Sequence, residues 1–360
     1  MRVAFVLGTT SGGTGRYVLM LVRGLVRRGH RVVVAGPRSV EEQFAYTSAG
    51  ARFVEVAVSD RPDPVNDVRA VLALRRVTRG ADVVHAHGMR AGALAAIGRR
   101  GPVVTLHNAL TTGGFVGLVY GVLERIVARR AGCVLPVSPD LGARMTTLGA
   151  RDVRAALVPA PALPPAKRTP EDVRAELGAG ERPVVLTIAR LAQQKGLDTL
   201  LDVAAGPWPG DDSVKPLFVV AGEGPLRGEL RRRIDAEGLP VVLLGNRDDV
   251  ADLLGAAVAL LMPSRWEGQP LTLREALMAG TPAIASAVGG IPEILGDAGI
   301  LVPYGDVGGF RDAVQELLTT PGTAETLAAA AVRRGREMPD GDEAVESVLA
   351  VYRGQDPADD

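Results

Sequence analysis

Short runs of consecutive apolar residues alternate along this chain with longer stretches in which apolar residues return every three or four positions. RVAFVLG, RVVVAG, ADVVHAHG, PVVTLHN and GCVLPVS are the short runs of the first half. They are rich in β-branched residues and end in small or polar ones, as buried strands do. Between them, GRYVLMLVRGLVRRGH sets Val18, Leu21, Val22, Leu25 and Val26 on one helical face, and YGVLERIVARRA repeats the pattern. Strands alternating with helices predict a parallel sheet covered on both faces. The pattern stops at residues 158–170, VPAPALPPAKRTP, where five prolines read as a linker. It restarts with PVVLTIARL and runs on through PLFVVAGEG, VVLLGN, VALLMPS, PAIAS and GILVPYG. The predicted organisation is an N-terminal domain over 1–160, a linker region over 161–182 and a C-terminal domain over 183–338. A last helix over 342–352 is expected to pack back on the first domain, and 353–360 reads as a disordered acidic tail.

Length agrees with two domains, since 360 residues exceed one ordinary core. Lys plus Arg equals Asp plus Glu at 41 each, so no global field favours nucleic acid or a strongly anionic surface. The one cysteine, Cys133, sits in an apolar run and reads as a buried structural thiol in a reducing compartment. No segment reaches the roughly 18 to 20 apolar residues that span a bilayer, and the opening MRVAFVLGTTSGG is interrupted too soon for a signal peptide. A cytoplasmic location is expected, with a peripheral contact at the inner face of the membrane as an open alternative. VRAVLALRRVTRG raises that alternative, because it sets Arg69, Arg75, Arg76 and Arg79 beside an apolar face.

The stretch SRWEGQPLTLREALMAGTP, Ser264 to Pro282, holds the most informative chemistry. Pro270 suits a first helical position and Gly280 a helix end. Glu267 therefore falls in a loop and Glu275 in the second turn of the helix, and the free amides after Gly268 form an anion site between them. Carboxylates accept hydrogen bonds from sugar hydroxyls and amides suit phosphate, which points to a sugar nucleotide. A solvated Glu275 and a Glu267 that merely complements the helix dipole remain the alternative reading.

Arg190 and Lys195 follow the strand VVLTIAR, where two cations can neutralise a diphosphate. Gly12 and Gly13 open the first helix, where backbone amides can approach a ligand. Gly8 and Gly13 have the spacing of a Walker loop but lack its lysine, and no G-x-G-x-x-G supports a dinucleotide site. Gly222, Gly224 and Gly228 come nearer, and read equally as a tight strand-to-helix turn or a ligand contact. His107 closes the strand PVVTLH, while His85 and His87, two apart, are read as facing opposite sides of theirs and so as unable to share a metal.

RWEGQPLTLREALMAGTPAIASAVGGIPEIL resembles the E-x7-E donor segment of the retaining glycosyltransferases of family 4. ARLAQQKGLDTLL is similar to that family's Arg-and-Lys pyrophosphate motif, FVVAGEGPLRGEL to its Gly-Glu-Gly-Pro turn and SGGTGRYVLMLVRGLVRRGHRVVV to its N-terminal glycine loop, with VVHAHG and VVTLHN in the expected order. The resemblance covers nearly the whole chain. It implies an α/β chain of GT-B fold: two doubly wound Rossmann-like parallel-sheet domains facing a central cleft.

It further implies transfer of a sugar from a nucleoside-diphosphate sugar, a co-substrate rather than a cofactor, to a hydroxyl acceptor without a metal ion. On that resemblance His107, Glu267, Arg190 and Lys195 are the catalytic set. Gly12, Gly13, Gly222, Gly224, Gly268, Gln269, Pro270, Leu271 and Glu275 bind the donor. Many members carry Asp after the histidine, where this chain has Asn108. The base pocket is expected near Gly245 to Val250, and acceptor choice in loops such as LTTGGFVG, residues 110–117, with Phe115 at its tip. A sugar-nucleotide 2-epimerase of the same fold and a non-catalytic nucleotide-sugar-binding protein are the alternatives, with a NAD-dependent dehydrogenase behind them.

Overall fold

Runs of valine, leucine and alanine cannot leave either face of a strand to water, and a parallel sheet with helices on both sides answers that demand. A computed structural model of the chain describes residues 1–10, 12–58, 63–99, 101–108, 114–160, 163–209 and 215–354, apart from the side chains of 114–116. Residues 110–113 and the Phe115 side chain of the expected acceptor loop, and 355–360 of the expected tail, lie outside the described residues. The chain divides into one unit of residues 1–159 with 339–360 and a second of residues 160–338.

In the first unit, β1 (Arg2–Leu7), β2 (Arg31–Gly36), β3 (Arg52–Glu55), β4 (Val83–His87), β5 (Val103–Leu106) and β6 (Cys133–Pro136) pair in parallel in the order β3-β2-β1-β4-β5-β6. Central β4 is buried along its whole length, whereas edge β3 is half exposed. The connecting helices are α1 (Gly13–Arg27), α2 (Arg38–Phe44), α3 (Pro64–Thr78), α4 (Met89–Gly98), α5 (Gly114–Arg130) and α6 (Pro139–Thr147). Cys133 is fully buried, and burial pushes its thiol up to about 12.

The second unit repeats the plan. Helix α7 (Pro170–Glu176) precedes β7 (Val184–Ile188), and α8 (Leu197–Ala204), β8 (Leu217–Ala221), α9 (Arg227–Glu237), β9 (Val241–Gly245), α10 (Val250–Ala256) and β10 (Ala259–Met262) follow. Then come α11 (Leu271–Ala279), β11 (Ala283–Ser286), α12 (Ile291–Leu295), β12 (Gly299–Val302), α13 (Val307–Thr319) and α14 (Thr323–Arg336). The parallel order is β12-β11-β10-β7-β8-β9. Neighbouring residues feed separate cores on the two faces: Leu186 and Val219 pack with Leu260 and Leu277, while Val185 and Phe218 pack with Leu261 and Phe310.

The proline-rich segment holds more structure than a linker over 161–182 would. Thr169 caps α7 by accepting from the Asp172 amide at 3.2 Å, and Pro170 stands in the first helical turn. Proline there starts a helix, because its missing N–H would have no partner in any case. Val173 buries its side chain, and Arg168 pairs with Glu176, Asp249 and Asp252.

The final helix, α15 (Gly341–Arg353), lies on α1 in the first unit. Asp340 caps it in a capping box with Glu343. Arg28 donates to Glu346 at 2.8 Å and to Asp342 at 3.2 Å, but such rim pairs add little. Close contact carries the helix instead: a Cβ on Gly24 would stand 2.4 Å from Val345 Cγ2. Gly24→Val should therefore weaken the first unit by about 2 kcal/mol through overpacking. The urea midpoint at which Cys133 becomes reactive to a thiol reagent reads this, and an unchanged midpoint would mean that α15 tolerates displacement from α1.

Candidate functional site

Strand order reverses direction between β1 and β4 in the first sheet and between β7 and β10 in the second. At such a switch point the loops leaving the carboxyl ends of two neighbouring strands turn to opposite faces and open a crevice, the usual ligand position of a doubly wound sheet. Arg190 and Lys195 lie in the loop after β7, and Ser264 to Gln269 in the loop after β10. Sequence reading placed both segments at a ligand edge, and the topology makes those edges adjacent.

The two loops are fastened to each other by backbone. Lys195 ends a short 3-10 turn, and Gly196 follows at φ 62°. A Cβ there would lie 1.9 Å from the Pro263 carbonyl oxygen, so only glycine lets the turn rest on the end of β10. The Arg265 amide donates to Gln194 O at 2.8 Å, and Gln194 Nε2 donates to Trp266 O at 2.9 Å. This clamp sets Lys195 Nζ 2.6 Å from Glu267 Oε1, which also accepts from Ser264 Oγ at 2.8 Å. Glu267 is buried and Lys195 half-buried. Its backbone is held from β11's side, where the Gly290 amide donates to Glu267 O at 3.0 Å and Gly289, at φ 55°, lies too close to that oxygen for any Cβ.

Lys195 and Glu267 are thus one ion pair rather than two separate groups. Arg190 is exposed and has no ion-pair partner among the described residues. Gly222 and Gly224 press against the segment after β7, where added Cβ atoms would stand 2.0 Å from Ala189 O and 2.4 Å from Leu191 O. Their lack of side chains already serves loop packing. Near the expected base pocket, Arg247 is tied to Asp249 and Glu176.

Helix α11 begins at Leu271 with Pro270 as its N-cap, one residue earlier than a first-turn proline, and no side chain caps it. Gly268 and Gln269 lead into this end. Uncapped first-turn amides together with the helix dipole favour an anion. Glu275 sits half-buried in the second turn. Sequence reasoning missed the adjacent Arg274, which is buried and donates to Gln269 Oε1. Burial, aided by nearby Arg334, lowers its pKa to about 10. It also missed Ser264, whose only signal was its place at the end of an apolar strand.

In the first unit, Gly12 is the N-cap of α1 and Gly13 its first residue. His107 follows β5 and is half-buried. The expectation that His85 and His87 diverge is wrong. Side chains alternate along a strand, so residues two apart share a face, and the two rings stack with centroids 4.3 Å apart. His87 Nδ1 is hydrogen-bonded to His107 Nε2 at 3.0 Å, and those rings stack as well. His85 is held at both nitrogens, by Tyr352 Oη of α15 and by Thr105 Oγ1, each at 2.7 Å. Tyr17 meets His87 and His107 in T-shaped ring contacts. Among the described residues no group of three or more His, Cys, Asp or Glu is arranged to hold a metal ion.

Comparison with known proteins bears on both units. Residues 12–161 match the glycosyl transferase 4-like domain, and residues 182–320 match glycosyl transferases group 1. A 2-deoxystreptamine N-acetyl-D-glucosaminyltransferase from Streptomyces fradiae is 33% identical over 180 residues, 48% of this chain and 42% of that protein. A D-inositol 3-phosphate glycosyltransferase from Actinosynnema mirum is 29% identical over 301 residues, 75% of this chain and 72% of that protein. The chain thus spans less than half the length of some curated relatives, the Streptomyces fradiae protein among them. Among solved structures, Anabaena HepE in complex with UDP superposes with a TM-score of 0.81 at 19% identity, over 98% of this chain and all of that one. The fold is GT-B, each unit being doubly wound.

The histidine cluster has a pH signature. Burial lowers His85 from the ordinary 6.5 to about 3 and His107 to about 4, and drives His87 well below 6.5, so all three rings are neutral in the folded chain at neutral pH. The unfolded chain takes up protons below about pH 6.5 while the folded cluster does not, so its stabilising share is present above 6.5 and is lost as pH falls toward 4. Each ring adds up to about 1.4 kcal/mol of lost stability per pH unit in that window. The urea midpoint of the first unit, followed by tyrosine circular dichroism, should fall from pH 7 to pH 5, and less steeply in His85→Gln. Equal slopes in the two proteins would mean that His85 titrates normally.

Proposed function

The chain belongs to the group 1 glycosyl transferases, and from that membership we propose that it moves a sugar from a nucleoside-diphosphate sugar to a hydroxyl acceptor with retention at the anomeric carbon. The observation that carries this reading is the Lys195–Glu267 pair, held at 2.6 Å at the switch point beside an uncapped helix. Lys195 gives one of its three N–H donors to Glu267, leaving two for a diphosphate. Arg190, exposed on the same loop, adds a second cation, and the first-turn amides of α11 add the helix dipole.

In this reading Glu267 and the backbone around Gly268, Gln269 and Leu271 hold the sugar, with Arg274 orienting Gln269. Glu275, one turn further along α11, takes the ribose hydroxyls. Gly12, Gly13 and His107 stand at the carboxyl edge of the first sheet. There His107, neutral at working pH, can exchange a hydrogen bond with a hydroxyl without competing for the diphosphate as a cation would. The bond from the anomeric carbon to the diphosphate oxygen breaks as the acceptor oxygen bonds on the same face. The acceptor proton passes to the departing phosphate. Preorganised cations and amides stabilise the charge that develops on that leaving group, so no metal is required.

HepE, whose fold this chain shares, was solved with UDP, which makes UDP the first ligand to try. Calorimetric titration with UDP, GDP, ADP, dTDP and NAD should find binding of one nucleoside diphosphate, weakened at least about tenfold in Glu275→Ala by loss of charge-assisted hydrogen bonds. Lys195→Ala should lower transfer by about 10²-fold or more with an unchanged circular dichroism spectrum. Binding of NAD alone, or full activity in Lys195→Ala, would refute the assignment.

A further inference from the structure

Helices that join parallel strands cross right-handedly, so the direction of each step fixes the face on which the helix lies. The step from β1 to β2 runs opposite to the steps from β3 to β4, β4 to β5 and β5 to β6. Hence α1 covers one face of the first sheet and α3, α4 and α5 the other, with α4 in contact with both of its neighbours.

Large exposed apolar residues concentrate on that second layer. Val65, Val68 and Leu72 on α3, Ile97 on α4, and Leu118 and Val122 on α5 are 42 to 68% exposed. They make up six of the eleven such residues among the described residues. Val65, Val68 and Leu72 recur at helical spacing, so they form a stripe on the outer side of α3, while Ala70, Leu74 and Thr78 face inward. The ordinary amphipathic helix of a soluble protein turns charge outward at these positions.

Exposed charge on the layer is mostly basic, with Asp63 at the start of α3 engaged as that helix's N-cap. Arg69, Arg75, Arg76 and Arg79 lie on or just after α3, and Arg125, Arg129 and Arg130 on α5; all seven are exposed, and none has an acidic partner among the described residues. The acids of these helices are already engaged, Asp67 with Arg90 and buried Glu124 with Arg144. On the opposite layer, α15 supplies Asp342 and Glu346 to Arg27 and Arg28.

Each helix runs against its strands, so Val65 and Val68 in the first half of α3 and Leu118 in the first half of α5 stand toward the carboxyl edge of the sheet, with Leu72 and Val122 at mid-helix. Most of the arginines stand toward the other end. Among the described residues no helix is long and apolar enough to cross a membrane.

We propose that the outer face of α3 and α5 docks on an anionic lipid bilayer, with its aliphatic side chains entering the headgroup boundary and its arginines meeting lipid phosphates. Charge complementarity selects this occupant over a second copy of the chain. An isologous contact would bring two sets of unpaired arginines together with only Asp63, which already caps α3, as an exposed acid to meet them. The exposed aliphatic residues also spread over three helices, with Ile97 alone on small-residue α4 between α3 and α5, a spacing that suits a lipid surface better than a compact hot spot.

Co-sedimentation with vesicles of equal parts phosphatidylglycerol and phosphatidylcholine tests it, with pure phosphatidylcholine as control. At low salt the wild-type chain should sediment with the anionic vesicles only, and high salt should release it. Combined Val65→Asn, Val68→Asn and Leu72→Gln should lower the partition coefficient at least about tenfold, and combined Arg75→Gln, Arg76→Gln and Arg79→Gln about fivefold per arginine. Failure to sediment at low salt, or sedimentation unaffected by both combinations, would overturn the proposal. So would a dimer seen by light scattering without lipid and lost in the aliphatic variant, which would assign the face to a second copy.

Discussion

The constraint on which the rest depends is that parallel strands can be joined only by crossovers, and that crossovers have one hand. A chain that starts mid-sheet and winds first one way, then the other, must leave a place where two neighbouring strands send their loops to opposite faces. Both sheets do this, between β1 and β4 and between β7 and β10. No residue at these places is needed for the crevice to exist. It is a by-product of burying apolar strands on both faces, and the chemistry is placed where the fold already opens.

What the second unit adds is rigidity. An acid and an amine brought together on mobile loops would gain little, because ordering two side chains offsets most of their attraction. Here the loops are first joined by backbone: Gly196 rests on the Pro263 carbonyl, and the Glu267 carbonyl is held by Gly290. Ser264 then gives Glu267 a second donor. A largely buried carboxylate held by an ammonium and a hydroxyl is a fixed ion pair, ready before a ligand arrives, and that is the property by which a site stabilises developing charge without reorganising. The cost is borne by the loops, where glycine at 196 and 289 and bare contacts at 222 and 224 leave no room for variation.

How much of this could be read from residues alone follows from the range of the interactions. Strand and helix alternation is local, and it gave both sheets. The placement of Glu267 in a loop and Glu275 in the second turn of a helix is local too, being set by Pro270 and Gly280. The proline-rich stretch over 158–170 contains the division between the two units at 159/160, and only its last proline, Pro170, begins a helix, α7. The divergence expected of His85 and His87 was an error of strand geometry, since a period of two puts them on one face. Tyr352 and His85 are 267 positions apart and meet only because α15 returns to the first unit. Arg274 was hidden differently, for an arginine inside an amphipathic helix gives no sign that it will be buried against Gln269.

The return of α15 links α1 to the histidine ladder of the first sheet. Its acids neutralise arginines on the α1 side of the sheet, and its Tyr352 reaches through to His85, which stacks on His87, which in turn is bonded to His107. One helix therefore both supplies acids to Arg27 and Arg28 on one layer and fixes the ladder of rings that ends at the carboxyl edge. Nothing comparable covers the opposite layer among the described residues. The contrast is physical rather than incidental: a fold that spends its last helix on one face of its first sheet leaves the other face with its arginines unmatched and its aliphatic stripe in water. Solvated arginines beside exposed aliphatic groups are complementary to a partner of opposite charge and apolar interior.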